Sequence, residues 1–339
     1  MVALTGSILV FEEEIDAFIN PEFYKVSNIG IQKMPVDLYV NSIAKQYRIT
    51  ELDRIQTYQD PARTVIISGT DADKKDQIFS VDSYTGKVLA TIPEKSRFFS
   101  VILDLHRHLI LGEVGKFITG CSCLIFIFML LSGLILWWPK KIKNLKQRLT
   151  IKWNASFKRV NWDFHSNFGF YSFLFLLIIS LTGLTWSFKW FESGIYLLAD
   201  GTAKKPSAKV ENPTKVDKTF FYQNILSKTE NIYKYKGDTQ IRIPSDTINS
   251  IMVIKLNLEK SIPNISSMAY FDKYTGKLLK IRPYESFSNG DKARRLIYPI
   301  HTGSIYGYPT KILAFIVCLF AATLPITGLL IWLGRKKKK

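Results

Sequence analysis

Cysteine is scarce in this sequence, and its three copies all lie within apolar runs. The polar stretches contain none, so no disulfide framework stabilises them, and the Cys121-x-Cys123 spacing is typical of neither a zinc site nor a redox pair. The sequence also lacks a Walker A loop, a G-x-G-x-x-G turn after a strand, a G-x-S-x-G elbow and an H-E-x-x-H helix. Neither nucleotide hydrolysis nor hydrolytic chemistry therefore has a basis in these motifs.

Charge is missing altogether from three runs, each long enough to cross the roughly 30 Å of hydrocarbon in a bilayer. These runs are Phe117–Trp138, Phe168–Phe188 and Ile312–Gly334. Tryptophans lie at their ends, where the amphipathic indole ring suits the headgroup region. Because the runs hold no Asp or Glu, the sequence gives little support to a proton-coupled transporter. We therefore expect a multi-pass membrane protein with three complete spans.

The net charge of +18 would suit nucleic acid or a membrane surface, and its distribution decides between them. Lys and Arg cluster in residues 139–167 and in the tail 335–339, directly beside the apolar runs. This pattern indicates topology rather than nucleic-acid binding, and the positive-inside rule places both segments in the cytoplasm. The long polar segments 12–104 and 189–300 then lie on the outer side.

An internal repeat organises the chain. Asp82–Leu89 (DSYTGKVL) recurs as Asp272–Leu279 (DKYTGKLL), and both copies predict two strands joined by a tight turn. The spans repeat as well, since His106 precedes Gly133 by 27 residues and His301 precedes Gly328 by the same 27. The chain thus consists of two copies of a span, an outer domain and a span, which predicts an even number of crossings.

The apolar N-terminal segment 1–11 is too short to span a membrane and lacks the basic start of a signal peptide. Its Leu4-Thr-Gly6 matches Leu181-Thr-Gly183, and in the second copy His165 stands 18 residues before Gly183. We therefore expect a four-helix bundle whose first helix is truncated, without the counterpart of His165.

Each outer segment has the pattern of a small α+β unit. Because each is small, we expect the two to pack on each other or on the membrane face. The stretch Lys204–Lys218, which holds two prolines, is predicted to be a linker. The predicted elements are a helix at Val36–Tyr47 with strands at Thr64–Ile67 and Gln77–Val81, then a helix at Thr219–Leu226 with strands at Gln240–Ile243, Ser250–Leu256 and Ser267–Phe271.

All four histidines lie at the mouths of spans. A single such histidine is ordinarily an interfacial residue bonded to a headgroup or to backbone. His106 and His301, however, are related by the repeat and enter the membrane from the same side. Two opposed neutral imidazoles are what six-coordinate haem iron needs in its axial positions. From spacing alone, a haem or metal pair and two interfacial residues both remain open.

The other candidates are secondary. His108 is two residues from His106 and so lies on a different face of a helix, which makes it the alternative ligand. His165 is the inner-side candidate. Arg107, Arg294 and Arg295 could pair with haem propionates or, equally, with lipid phosphates.

Several of these motifs together give the chain a family likeness. It resembles the PepSY-associated transmembrane proteins, which are bacterial inner-membrane proteins that include ferric-siderophore reductases. The likeness covers essentially the whole chain. The motifs that carry it are Leu4-Thr-Gly6 followed by Phe11-Glu-Glu-Glu-Ile15-Asp16, Leu105-His106-Arg107, Leu111-Gly112-Glu113-Val114-Gly115, Asp163-Phe-His165, His301-Thr-Gly303 and Ile326-Thr-Gly328.

The resemblance implies four spans, two periplasmic PepSY-like α+β domains and one or two b-type haems. His106 and His301 would hold the outer haem and His165 the inner one. The resulting division of the chain is a span remnant at 1–11, a periplasmic domain at 12–104, a span at 105–138, a cytoplasmic loop at 139–167, a span at 168–188, a second periplasmic domain at 189–300, a span at 301–334 and a cytoplasmic tail at 335–339.

The function that follows is transmembrane electron transfer to a ferric chelate such as an Fe(III)-siderophore, an oxidoreductase activity in iron acquisition. No flavin- or NAD-binding motif is present, so a quinol or a separate cytoplasmic reductase must supply the electrons. Two other classes compete with this hypothesis. One is a non-enzymatic sensor or peptidase inhibitor anchored by its spans, and the other is a siderophore or iron permease.

Overall fold

A computed structural model of the chain describes residues 1–203, 221–245 and 250–336. Its contacts divide the chain into two compact units. The membrane unit comprises Met1–Phe11, Val101–Ile195 and the chain from Leu296 on, and the sheet unit comprises Glu12–Ser100 and Tyr196–Arg295. Each unit therefore takes segments from both halves of the repeat.

The elements are numbered along the chain. The helices are α1 (Val2–Leu9), α2 (Glu12–Ile19), α3 (Pro21–Tyr24), α4 (Val36–Gln46), α5 (Phe98–His108), α6 (Gly112–Trp137), α7 (Leu145–Arg148), α8 (Phe157–Asp163), α9 (Gly169–Ser187), α10 (Lys189–Asp200), α11 (Phe221–Ile232), α12 (Asn289–His301) and α13 (Tyr308–Lys336). The strands are β1 (Ile49–Thr57), β2 (Val65–Asp71), β3 (Asp76–Val81), β4 (Val88–Pro93), β5 (Thr239–Arg242), β6 (Ile251–Leu256), β7 (Ser266–Phe271) and β8 (Leu278–Arg282).

Three helices of the membrane unit are long and apolar enough to cross a bilayer, which confirms the three predicted spans. They are Gly112–Trp137, Phe157–Ser187 and Tyr308–Gly334. The second begins eleven residues before the predicted run, because α8 continues through a π-helical turn at Phe164–Phe168 into α9. His165 therefore lies inside this helix rather than in the loop before it.

The long helices pack around a small apolar core. α6 and α13 both contact α9, and α1 lies along α13. Leu130, Leu176, Val317 and Ala321 are buried where the three long helices meet. Their outer faces stay apolar and exposed, as at Phe128, which suits contact with lipid. With its eight residues α1 does not reach across a bilayer, so the four-helix count stays a prediction.

The sheet unit is built around one antiparallel sheet of eight strands in the order β4-β3-β2-β1-β5-β6-β7-β8. Each half of the repeat contributes four consecutive strands. The halves join where β1 pairs with β5, with Ile55 opposite Ile241 and both side chains fully buried. The predicted packing of the two outer segments on each other is therefore confirmed, in the form of a shared sheet.

Helices α4 and α11 bury their apolar sides with this sheet in one core, in which Ile43 and Ile225 lie among Phe79 and Phe271. The predicted helix and strands of the first segment are confirmed, apart from shifted ends. The three strands predicted in the second segment are also confirmed, as β5, β6 and β7. Strand β1 was missed. The predicted linker Lys204–Lys218 and the first two residues of the predicted helix Thr219–Leu226 lie outside the described residues.

A paired-histidine candidate site

His106 and His301, which the sequence predicts on the outer side and which are called the outer pair below, lie side by side in the membrane unit. His106 is in the last turn of α5, and His301 is the last residue of α12. Their ring centroids are 6.3 Å apart, and the ring planes cross at 61°. The sequence separates them by 195 positions, so only the packing of the two repeat halves brings the imidazoles together.

Each of these histidines ends a short helix just before a span. Behind His106 the backbone turns through the left-handed region at Leu109 and Ile110, with φ of +53° and +59°, and at Gly112, the first residue of α6. Behind His301 it does so at Gly303 and Gly307, before α13. Glycine adopts this conformation without steric cost, so Gly303 and Gly307 readily form the break before α13, whereas the break before α6 also places two bulky residues in it. The backbone therefore fixes both rings at the mouths of long helices.

A Thr-Gly dipeptide of α1 holds the ring of His106. Nδ1 of His106 lies 3.1 Å from Thr5 Oγ1 and 3.1 Å from the carbonyl oxygen of Val2. A methyl group in place of the Gly6 hydrogen would lie 3.1 Å from Cε1 of the same ring, which is closer than ordinary van der Waals contact. The glycine thus lets the imidazole lie directly against the helix.

The second half of the repeat holds His301 in the same way. Nδ1 of His301 lies 3.0 Å from Thr182 Oγ1 and 2.9 Å from the carbonyl oxygen of Ile179, both on α9. A methyl group at Gly183 would lie 3.2 Å from Cε1. The indole of Trp186 also packs on this ring, with the centroids 5.2 Å apart.

A third copy of the arrangement holds His165. Its Nδ1 lies 2.7 Å from Oγ1 of Thr327 on α13, and a methyl group at Gly328 would lie 3.5 Å from its Cε1. The π-helical turn around His165 is a rare conformation that is frequent at functional sites. A fourth dipeptide, Ser132-Gly133 on α6, has no atom within 4 Å of the corresponding methyl position among the residues that the structure describes.

The secondary candidates lie elsewhere. Nδ1 of His108 donates a hydrogen bond of 2.8 Å to Asp104 Oδ1, one turn earlier on α5. Arg107 belongs to the membrane unit, beside His106 in sequence. Arg294 and Arg295 belong to the sheet unit, where the guanidinium of Arg295 bonds Ser266 Oγ and stacks 4.5 Å from the ring of Phe287. A propionate role for these arginines stays a prediction.

The donor set suits a cofactor that brings most of its own ligands. No group of three or more His, Cys, Asp or Glu side chains able to hold a metal ion occurs in the described part of the chain. An imidazole nitrogen binds a metal at about 2 Å, so two rings on one ion have centroids on the order of 6 Å apart. At a spacing of 6.3 Å, His106 and His301 are the two residues that would hold a haem iron, if this chain binds one.

The threonines were missed as site residues, although the sequence held a signal for them. Leu4-Thr-Gly6, Leu181-Thr-Gly183 and Ile326-Thr-Gly328 were interpreted only as marks of the repeat or of the family resemblance. Thr-Gly dipeptides in apolar segments were the available clue, although they include Thr119-Gly120 as well as the three that contact histidines. Only the packing assigns each threonine to its imidazole.

One comparison with known proteins gives a result. The sequence model of a family described as the PepSY-associated TM region matches residues 1–335, which is nearly the full length. No curated protein matches the chain.

Proposed function

Because the chain belongs to the PepSY-associated transmembrane family, we propose that it carries electrons across the bacterial inner membrane through haem b and reduces ferric chelates on the periplasmic side. The pairing of His106 with His301 at 6.3 Å is the observation that carries this proposal. Haem b would supply one-electron exchange between ferric and ferrous iron. Each electron delivered to an Fe(III)-siderophore yields Fe(II), which the chelate binds more weakly.

The protein's own contribution is to present two imidazoles in a fixed orientation. In each outer ring Nδ1 is engaged by a threonine hydroxyl and a backbone carbonyl. The second nitrogen, Nε2, is then the atom available to a metal. A hydrogen bond on the far ring nitrogen orients a metal-binding histidine and raises its basicity.

His165 supplies a possible second site at the other end of the same helix bundle. It precedes Thr182, which contacts His301, by seventeen residues on one continuous helix. At 1.5 Å per residue this separates the two positions by about 25 Å, close to the thickness of the hydrocarbon core. Two haems near opposite faces of the bilayer would follow, with His165 a ligand of the inner one.

The ends of this helix also differ in charge. The basic stretch 139–167 leads into the His165 end, and the positive-inside rule then assigns that end to the cytoplasm and the His106–His301 pair to the periplasm. A quinol or a separate reductase would deliver electrons at the cytoplasmic end. In the π-helical turn that holds His165, Nδ2 of the buried Asn167 has no hydrogen-bond partner within the described ranges. This nitrogen is therefore a donor for an acceptor atom of a ligand.

The sheet unit is our proposed docking module for the chelate. The chain leaves this unit at Ser100 and reaches His106 six residues later, and it leaves again at Arg295 and reaches His301 after another six. Residues 189–300 hold 19 Lys or Arg against 11 Asp or Glu, so this half of the outer chain would attract an anionic chelate.

A reduced-minus-oxidised spectrum of the purified full chain, reconstituted with haem, tests the proposal. We expect b-type bands, loss of the outer-haem signal in His106→Ala, and reoxidation of the reduced protein by an Fe(III)-siderophore. Absence of b-type bands in the wild-type chain would refute the proposed electron transfer through haem. A membrane-anchored sheet module that binds peptide would then be the better account.

A further inference from the structure

The three histidine contacts differ in one respect. Two acceptor groups surround Nδ1 of His106 and Nδ1 of His301, namely a threonine hydroxyl and a backbone carbonyl. Nδ1 of His165 meets only the Thr327 hydroxyl in the part of the chain that the structure describes. The carbonyls of Val2, Ile179 and Leu324 correspond in sequence, and each lies within 3.2 Å of its own threonine hydroxyl, but no hydrogen bond joins the Leu324 carbonyl to His165 in the described residues.

The direction of these hydrogen bonds follows from counting protons. A threonine hydroxyl has one hydrogen, and each of these threonines directs it at carbonyls of its own helix. Oγ1 of Thr182 lies 2.8 Å from the Ile178 oxygen, Oγ1 of Thr5 lies 3.0 Å from the Val2 oxygen, and Oγ1 of Thr327 lies 3.0 Å from the Thr323 oxygen. With its hydrogen directed at these carbonyls, each hydroxyl oxygen would accept a hydrogen bond from the imidazole.

An acceptor facing Nδ1 requires a proton on Nδ1. A neutral imidazole carries only one ring proton, so Nε2 keeps its lone pair. At the outer pair the carbonyls of Val2 and Ile179 impose this tautomer even without the threonines, because a carbonyl oxygen can only accept. At His165 the side chain of Thr327 alone imposes it.

We propose that Thr327 is a positioning residue that by itself holds His165 in the Nδ1–H tautomer, whereas backbone carbonyls hold His106 and His301 in that tautomer independently of Thr5 and Thr182. The inference rests on the proposed function only where it makes Nε2 the ligand atom. The tautomers of His106 and His301 are thus set by the backbone, whereas the tautomer of His165 is set by one side-chain hydroxyl that a substitution can remove.

Imidazole nitrogen shifts measured by ¹⁵N NMR test this proposal on the full-length apoprotein in detergent, labelled only at its four histidines, at pH 8. We expect His106, His165 and His301 to be protonated on Nδ1. In Thr327→Val, the ratio of Nδ1–H to Nε2–H in His165 should fall about tenfold, as loss of one hydrogen bond predicts. Thr182→Val should leave His301 unchanged.

Two further variants separate this effect from general damage. Thr327→Ser keeps the hydroxyl and should restore the wild-type tautomer. Thr323→Val removes a hydroxyl that donates to the Phe320 carbonyl one turn away, and it should change none of the histidines. An unchanged His165 in Thr327→Val, or an equal change of His301 in Thr182→Val, would overturn the proposal.

Because the measurement uses protein without haem, its outcome is independent of whether the chain binds haem. In haem-reconstituted protein, the same substitution at Thr327 should raise the reduced fraction of the His165-bound haem at a fixed redox poise. The reason is that a less basic ligand favours ferrous iron. Failure to take up haem would refute the proposed function and leave the tautomer result standing.

Discussion

Gly183 lies directly against the imidazole of His301, so that a methyl group on its Cα would stand 3.2 Å from Cε1 of the ring. The same close approach occurs at Gly6 with His106, at 3.1 Å, and in a looser form at Gly328 with His165, at 3.5 Å. The three glycines therefore form a graded series of contacts that mutation can probe.

We expect Gly183→Ala to displace His301 and weaken haem binding by the outer pair. Forcing a methyl group into a packed contact costs about 1–3 kcal/mol, and if the whole cost falls on the bound state it corresponds to an affinity loss of about fivefold to about a hundredfold. The measurement is a haem titration of the apoprotein. Gly133→Ala is the matched control, because its methyl group meets nothing within 4 Å in the described structure. Equal losses in both variants would contradict the assigned contact.

We expect His106→Ala and His301→Ala to be non-additive. If both rings bind one iron, either single substitution abolishes six-coordinate binding, and the double substitution removes no further haem. The measurement is haem per protein and the low-spin absorbance of each variant. His108→Ala should retain the outer haem, because its ring is paired with Asp104. Additive losses from the two single variants would mean that His106 and His301 serve different sites.

The sheet unit should lose a local anchor at low pH. Burial of Asp16 acts to raise its pKa, but hydrogen bonds from Tyr24 and Asn20 and the charge and hydrogen bond of Arg97 outweigh burial, so the pKa is lowered from its ordinary 3.8. A lowered folded-state pKa gives stability that is present above 3.8 and is lost as the pH falls through the folded value.

Hydrogen exchange of the segment Glu12–Tyr24 in the full-length protein checks this anchor. Wild-type protection should fall as the pH is lowered below about 4, after correction for the intrinsic exchange rate. Asp16→Asn should lower protection at pH 7 and flatten the pH dependence. The exposed Asp73 offers a control, since Asp73→Asn should leave both unchanged in this segment. A wild-type pH profile in Asp16→Asn would refute the role given to Asp16.

The repeated Asp-x-Tyr-Thr-Gly-Lys motif should prove to be a structural turn. Oδ1 of Asp272 accepts hydrogen bonds from Tyr274 N at 2.9 Å, Thr275 N at 2.7 Å and Thr275 Oγ1 at 2.9 Å, in a site that is 2% exposed. We expect Asp272→Ala to destabilise the sheet unit by roughly 2 kcal/mol. Hydrogen exchange at the amides of β7 is the measurement.

Asp82→Ala provides the comparison for that prediction. Oδ1 of Asp82 accepts from Tyr84 N at 2.8 Å and Oδ2 accepts from Thr85 Oγ1 at 2.8 Å, in a less buried turn. The expected loss of stability is therefore smaller than for Asp272→Ala. If both substitutions left the sheet intact and instead changed chelate-dependent reoxidation, the motif would be part of a binding site.

Strand β1 illustrates a limit of the sequence pattern. Its residues, ITELDRIQT, include Glu51, Asp53 and Arg54, and the alternation of apolar and polar residues breaks down at two register shifts. Only Ile55 is fully buried. The strand is stabilised by pairing with β2, the next strand of the chain, on one side and with β5, which lies in the other repeat half, on the other. Local periodicity does not register such non-local pairing.

The sequence by itself determined the features that depend on composition and local spacing. Long apolar runs without charge suit the hydrocarbon of a bilayer, because a charged side chain is costly there. The repeated turn and the equal spacing from histidine to glycine marked two copies of one unit. The tertiary structure alone decided that one sheet joins the two halves of the repeat, that His165 lies inside a helix, and that a threonine of another helix contacts each of His106, His165 and His301. These are contacts between segments far apart in the chain, and their geometry is fixed only when the helices and strands pack.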